Sequence, residues 1–178
     1  MAAAPNGLKV MVVGPKSSGK TSISNFLAGQ ADTLLSPEGA AAPTVGCRIL
    51  EFEITSAGSG RAIPIELWDT GGDTEYEACW PAIRKDASAL VLVYNPEKQA
   101  HLEEIGIWYE EFSKELSDDQ QILVFSHSAS GAKGARPPPR IAELNVLNTD
   151  ADSASAISSA FTKFMGKVEQ IAAKKGEQ

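Results

Sequence analysis

Eight residues carry the chemistry that the rest of the chain must serve: Gly14-Pro15-Lys16-Ser17-Ser18-Gly19-Lys20-Thr21. They satisfy the phosphate-loop pattern G-x-x-x-x-G-K-[ST] at every fixed position. In such a loop successive backbone N–H groups converge, and the N-terminus of the next helix adds positive potential, so an anionic phosphate is held there. Lys16, Ser17, Ser18, Gly19 and Ser22 are expected to line that cradle. Lys20 is expected to reach the terminal phosphates and the Thr21 hydroxyl to bind Mg2+. The flanks agree with this reading. Leu8 to Val13 is a short apolar run that predicts a buried strand, and Thr21 to Ala28 has apolar residues at helical spacing with Gly29 as a stop.

Two later stretches have the residue types to complete the site. Thr44 lies in a long connection, residues 30–46, whose prolines and glycines argue against regular structure. A hydroxyl on such a loop can close onto Mg2+ and the terminal phosphate, against the plainer reading of an ordinary loop threonine. Asp69-Thr70-Gly71-Gly72 ends a strand. Asp69 can hold Mg2+ through a coordinated water, and Gly72 can bring a backbone N–H to a phosphate because no Cβ blocks the approach. An aspartate-glycine turn alone is a weak signal; its distance from the phosphate loop makes it a strong one.

The elements that must position these groups alternate. Cys47 to Thr55 and Ala62 to Trp68 predict a hairpin around the turn Ser56-Ala57-Gly58-Ser59-Gly60-Arg61, with Pro64 near the start of a ladder. Thr74 to Lys85 predicts a short helix interrupted near Pro81, and Ser88 to Tyr94 a buried strand. His101 to Leu116 predicts a helix with Leu102, Ile105, Trp108 or Tyr109, Phe112 and Leu116 on one face. Its Glu103, Glu104, Glu110 and Glu111 read as a solvated face. Ile122 to Phe125 is a further strand, and Ser128 to Pro139 a flexible loop with a stiff polyproline end. Ala142 to Leu147 is expected as the last strand. Asp152 or Ser153 is expected to cap a final helix that frays at Lys174-Lys175. This order predicts an α/β fold with a mostly parallel six-stranded sheet and helices on both faces. The whole chain, 1–178, reads as one domain with flexible tails at 1–7 and 174–178.

Composition narrows the class. A net charge of -7 lacks the basic footprint of a nucleic-acid binder. No secretory leader and no myristoyl or prenyl anchor is expected from the two ends. Cys47 and Cys79 have no metal-ligand spacing and are expected as buried or half-buried thiols. His101 and His127 default to surface or loop positions.

With these motifs in place the chain resembles small GTPases of the Ras and Rab kind. Gly14 to Thr21 matches the family's first motif, Thr44 its switch I threonine, and Asp69-Thr70-Gly71-Gly72 its switch II motif, with Glu75-Tyr76 continuing in register. Trp108 sits where Rab proteins often carry a tryptophan. Four departures qualify the resemblance. Asp73 replaces the glutamine that orients the attacking water, and Lys16 adds bulk where the family avoids it. Ser126-His127-Ser128-Ala129 fills the slot of the guanine-reading N-K-x-D motif, without its aspartate. The helix between the last two strands is missing. Asn148-Thr149 occupy the slot of the last family motif, where backbone groups could still read the base.

Together these features resemble the Rab-like-5 branch, the small-GTPase subunit of intraflagellar transport complex B. The resemblance implies a GTP/GDP- and Mg2+-dependent adaptor required for cilium or flagellum assembly. It implies switch loops ordered by nucleotide, slow or absent hydrolysis, and a monomer in isolation without a lipid anchor. It places the protein in the cytoplasm, the cilium or flagellum and its base, with the coiled-coil complex B proteins 74 and 81 as partners. It carries over Thr21, Thr44 and Asp69 as metal residues, and Ser126, His127, Asn148 and Thr149 beside the base. The alternatives are a slow GTPase needing an outside activator and a phosphoryl-transferring kinase that uses ATP.

Overall fold

The computed structural model describes residues 7–34, 42–132 and 134–175. Residues 1–6 and 176–178 of the expected tails lie outside them, as does the Ser36-Pro37-Glu38-Gly39 part of the long connection.

Among the described residues six strands form one sheet in the order β2-β3-β1-β4-β5-β6. They are β1 (Leu8–Val13), β2 (Cys47–Thr55), β3 (Ala62–Thr70), β4 (Ala89–Tyr94), β5 (Ile122–His127) and β6 (Asn145–Thr149). Of these strands β2 alone runs antiparallel, paired with β3 through the glycine-rich turn; the other pairings among the described residues are parallel. The hairpin register runs from Thr55 opposite Ala62 to Cys47 opposite Thr70, with Arg48 opposite Asp69. β1 joins β3 only from Ile65 onward, so Pro64 precedes that ladder. β4 and β5 are buried at every position, because helices cover both faces and a continuous apolar run is what such strands require.

Alternation along the strands divides the core in two. Val10 and Val12 of β1 face a cluster with Ile157, Phe161, Phe164 and Met165 of α5 (Ala154–Lys175) and Ile23 of α1 (Lys20–Leu27). Met11 and Val13 face the other cluster, built on Trp80 of α2 (Trp80–Arg84) and Ile105, Trp108 and Phe112 of α3 (Gln99–Phe112). There the Trp80 and Trp108 rings lie 4.8 Å apart and Trp108 and Phe112 5.7 Å, a packing worth about 0.5–1.5 kcal/mol per ring pair beyond simple burial. Trp108, not Tyr109, is the buried member of that face. A 3-10 turn, Thr74–Cys79, precedes α2, with Pro81 in the first helical turn where its missing N–H costs nothing. No helix among the described residues is long and apolar enough to cross a membrane.

Four expectations need correction. The connection between β5 and β6 does hold a helix, the single turn α4 (Pro139–Ala142), which Pro139 starts with its φ already set. That turn takes Ala142, so the last strand begins at Asn145 rather than Ala142. α5 continues through Lys174 and Lys175, where a tail was expected. Cys79 is exposed, whereas Cys47 is half-buried as expected.

Candidate functional site

The phosphate loop follows β1 near the middle of the sheet, where open α/β sheets form their binding crevice. Lys16, Ser17, Ser18, Gly19, Lys20, Thr21 and Ser22 line a cavity of about 230 Å³, joined by Pro43, Thr44, Thr70 and Gly72. The loop therefore gathers the expected phosphate residues, Thr44 and Gly72 around one space. Inside it, Lys20 is 6% exposed and donates to the Pro15 carbonyl at 2.8 Å. Burial pulls its pKa down to about 8, against the opposing pull of Asp69 and Glu104. The Ser18 hydroxyl is buried without a partner among the described residues. A buried cation and an unsatisfied hydroxyl on one wall are groups that an entering phosphate would satisfy.

Three oxygen donors meet at the side of this cavity. The Thr21 hydroxyl donates to Asp69 Oδ2 at 3.0 Å, and Thr44 Oγ1 lies 3.0 Å from Thr21 Oγ1. Asp69 is fully buried, and its second oxygen, Oδ1, has no partner among the described residues. Burial raises the Asp69 pKa, while the Thr21 hydrogen bond and Arg48 pull it back. Two hydroxyls and a carboxylate with an orphaned oxygen are a hard-oxygen set that fits Mg2+. When bound there, Mg2+ supplies charge neutralisation between phosphate oxygens.

The switch II segment reaches the loop from the other side. A Cβ on Gly72 would come within 2.5 Å of the Lys16 backbone nitrogen, so only glycine allows this approach. Asp73 Oδ1 accepts the Glu75 N–H at 3.1 Å and starts the 3-10 turn, while Oδ2 pairs with Lys16 Nζ at 3.5 Å. The two groups that depart from the expected pattern thus engage each other.

The base-side candidates separate. Ser126, Asn148 and Thr149 line a second cavity of about 550 Å³ together with Gly131, Ala132, Gly134, Tyr94 and Asp150. This cavity shares no lining residue with the first. His127 goes the other way. Its Nδ1 lies 3.0 Å from Thr149 Oγ1, and its ring rests so close to the phosphate loop that a Cβ on Gly19 would meet Cδ2 at 2.7 Å. His127 is 7% exposed and His101 4%, so neither is the surface or loop histidine expected. His101 Nδ1 accepts the Asn95 N–H at 3.0 Å, leaving Nε2 to donate to the Lys16 carbonyl at 3.1 Å. Burial lowers the pKa of both rings.

Sequence reasoning missed Arg48, which donates through one Nη2 to Asp69 Oδ2 at 3.0 Å and to Asn25 Oδ1 at 2.7 Å. A signal existed: counting back along the hairpin from Thr55 and Ala62 sets Arg48 opposite Asp69.

Comparison with known proteins gives a consistent set of relatives. A family model, the Ras of Complex, Roc, domain of DAPkinase, matches residues 9–129. The chain is 35% identical to the Danio rerio intraflagellar transport protein 22 homolog, across 96% of this chain and 95% of that one. It superimposes on GDP-bound Trypanosoma brucei intraflagellar transport protein 22 with a TM-score of 0.69 at 30% identity, covering 94% of this chain and 97% of that one. On the GTP-bound Trypanosoma brucei assembly of intraflagellar transport proteins 22, 74 and 81 the TM-score is 0.74 at 28% identity, covering 96% and 98%.

Proposed function

The chain belongs to the intraflagellar transport protein 22 family of Ras-like GTPase domains, and from that premise we propose that it is the GTP- and GDP-binding adaptor subunit of intraflagellar transport complex B. The observation that carries the reading is the meeting of Thr21, Thr44 and Asp69 oxygens beside the buried Lys20 ammonium. A phosphate cradle needs only the loop; the inward placement of Thr44 is what a nucleotide-sensing switch adds. Lys16, Ser17, Ser18, Gly19, Lys20, Thr21, Ser22, Thr44 and Gly72 hold the phosphates, with Thr21, Thr44 and Asp69 around Mg2+. His127 with Thr149, and Ser126 with Asn148, flank the base.

The partners are this chain's counterparts of proteins 74 and 81, which accompany the Trypanosoma brucei relative in its GTP-bound assembly. Association with the cilium or flagellum follows the family's role in transport, and the ciliary base and cytoplasm are the finer locations proposed. Turnover is slow or absent: the side chain at position 73 is an anion already engaged by Lys16 and by the turn it caps, not an amide free to orient water. Calorimetric titration with GTP, GDP and ATP in Mg2+ tests the reading. Preference for the guanine nucleotides is expected. Equal binding of ATP would leave a phosphate site that does not read the base, and no binding would refute the nucleotide role. Co-purification with the 74–81 pair, stronger with GTP than with GDP, tests the adaptor role.

A further inference from the structure

A guanidinium sits on the one carboxylate expected to face Mg2+. Asp69 Oδ2 receives both the Thr21 hydroxyl and Arg48 Nη2 at 3.0 Å, whereas Oδ1 is buried with no partner among the described residues. The same Nη2 is anchored at 2.7 Å by Asn25 Oδ1 of α1, so the charge is tied down from two elements. The hairpin register places Arg48 directly opposite Asp69, so the two side chains leave the sheet on the same face. We infer that Arg48 is a positioning residue that shares the Asp69 carboxylate with the divalent cation, and thereby makes this site hold that cation, and the nucleotide with it, weakly.

The inference rests on the nucleotide reading above. A dication approaching Oδ1 meets a carboxylate already partly neutralised through Oδ2, with Lys20 adding a further positive charge on the same wall. Like charges a few ångströms apart in a buried site repel strongly. The same contact protects the site when the cation leaves, because Asp69 is then a paired buried charge and not a bare one. Both effects act in one direction: loss of the cation is made easier. Nucleotide release is then governed by the surrounding Mg2+ concentration, without need of an outside exchange factor.

The test uses the full chain loaded with fluorescently labelled GDP. Its release is timed across a Mg2+ series, and Mn2+ binding is read separately by electron paramagnetic resonance. Arg48→Gln keeps a donor to Asn25 but removes the charge. It should bind Mn2+ about tenfold more tightly and need about tenfold less Mg2+ to slow release, the effect of removing a repulsion worth about 1.4 kcal/mol. Arg48→Lys restores the charge and should return the Mg2+ dependence toward that of the unaltered chain. Asn25→Ala, which frees the guanidinium without touching the carboxylate, should shift it as Arg48→Gln does, by a smaller factor, and covers the case in which Arg48→Gln fails to fold. The same Mg2+ dependence in all the chains, or a higher requirement in Arg48→Gln, overturns the inference while leaving the nucleotide site standing. An unaltered chain that retains no nucleotide at any Mg2+ concentration overturns both.

Discussion

Lys20 is a cation buried before its counter-ion arrives. Burial holds its pKa at about 8, below the ordinary 10.5. Between those values the folded chain binds fewer protons than the unfolded one, so the empty protein loses stability as pH falls through that window and does not regain it below. An incoming phosphate reverses the cause by supplying the missing anion, and the pKa must rise. Nucleotide binding at about pH 8 is therefore expected to take up protons, seen as a dependence of the calorimetric heat on the ionisation enthalpy of the buffer; no dependence would contradict it. The same logic gives Lys20 opposite effects on binding and folding. Lys20→Met should weaken nucleotide binding about a hundredfold or more. It should also raise the stability of the empty chain by about 1 kcal/mol, some 2–4 °C in melting temperature for a chain of this length. Asp73 is the contrasting case: its pair with Lys16 is 57% and 41% exposed and worth little. Asp73→Ala is expected to leave nucleotide affinity within about threefold in a direct titration.

The loop these residues belong to is held by two buried rings from different elements. His101 at the start of α3 donates to the Lys16 carbonyl, and His127 at the end of β5 packs on Gly19 while meeting Thr149 of β6. Both rings have pKa values below the ordinary 6.5 because burial disfavours the charged form. As pH falls below about 6.5 the unfolded chain takes up protons that the folded chain refuses, so stability must fall there. Thermal melts from neutral to mildly acidic pH should show this loss, and His101→Gln with His127→Asn should flatten it; an unchanged acid limb in the double variant would assign the effect elsewhere. Neither ring was legible in the sequence. Their burial follows from the pairing of His127 with Thr149 and from where α3 begins, and local periodicity records neither. The strand, loop and α1 were legible because their signals are local: an apolar run, a glycine pattern and a helical stripe. α4 failed the same test for the same reason, since a four-residue helix is too short to display a period.

At the scale of the molecule the site belongs to the sheet as a whole. The phosphate loop continues β1, Thr44 precedes β2, Asp69 lies one residue before the end of β3, and His127 ends β5, so groups from four of the six described strands converge on one end of the sheet. That convergence was readable as a list of motifs, but the link from Arg48 to Asp69 and Asn25 appeared only once the strand register was fixed. The base side was the least legible part. Its reading depends on which face each residue takes at the ends of β5 and β6, and a shift of one residue exchanges those faces. Ser126 and Asn148 accordingly line one cavity while His127 turns to the phosphate loop. A ligand held by most of the sheet at once must stabilise it as one unit. Melting followed by calorimetry should give a single transition with and without nucleotide. At about a hundred times the dissociation constant, GDP in Mg2+ should add about 2.7 kcal/mol, or about 5–10 °C. Two transitions, with only one moved by nucleotide, would mean that β5, β6 and α5 fold apart from the phosphate site, and the single-domain reading would fall with that result. A single transition that moves in full with nucleotide, and loses the shift in Lys20→Met, would tie the stability of the entire sheet to the loop at its centre.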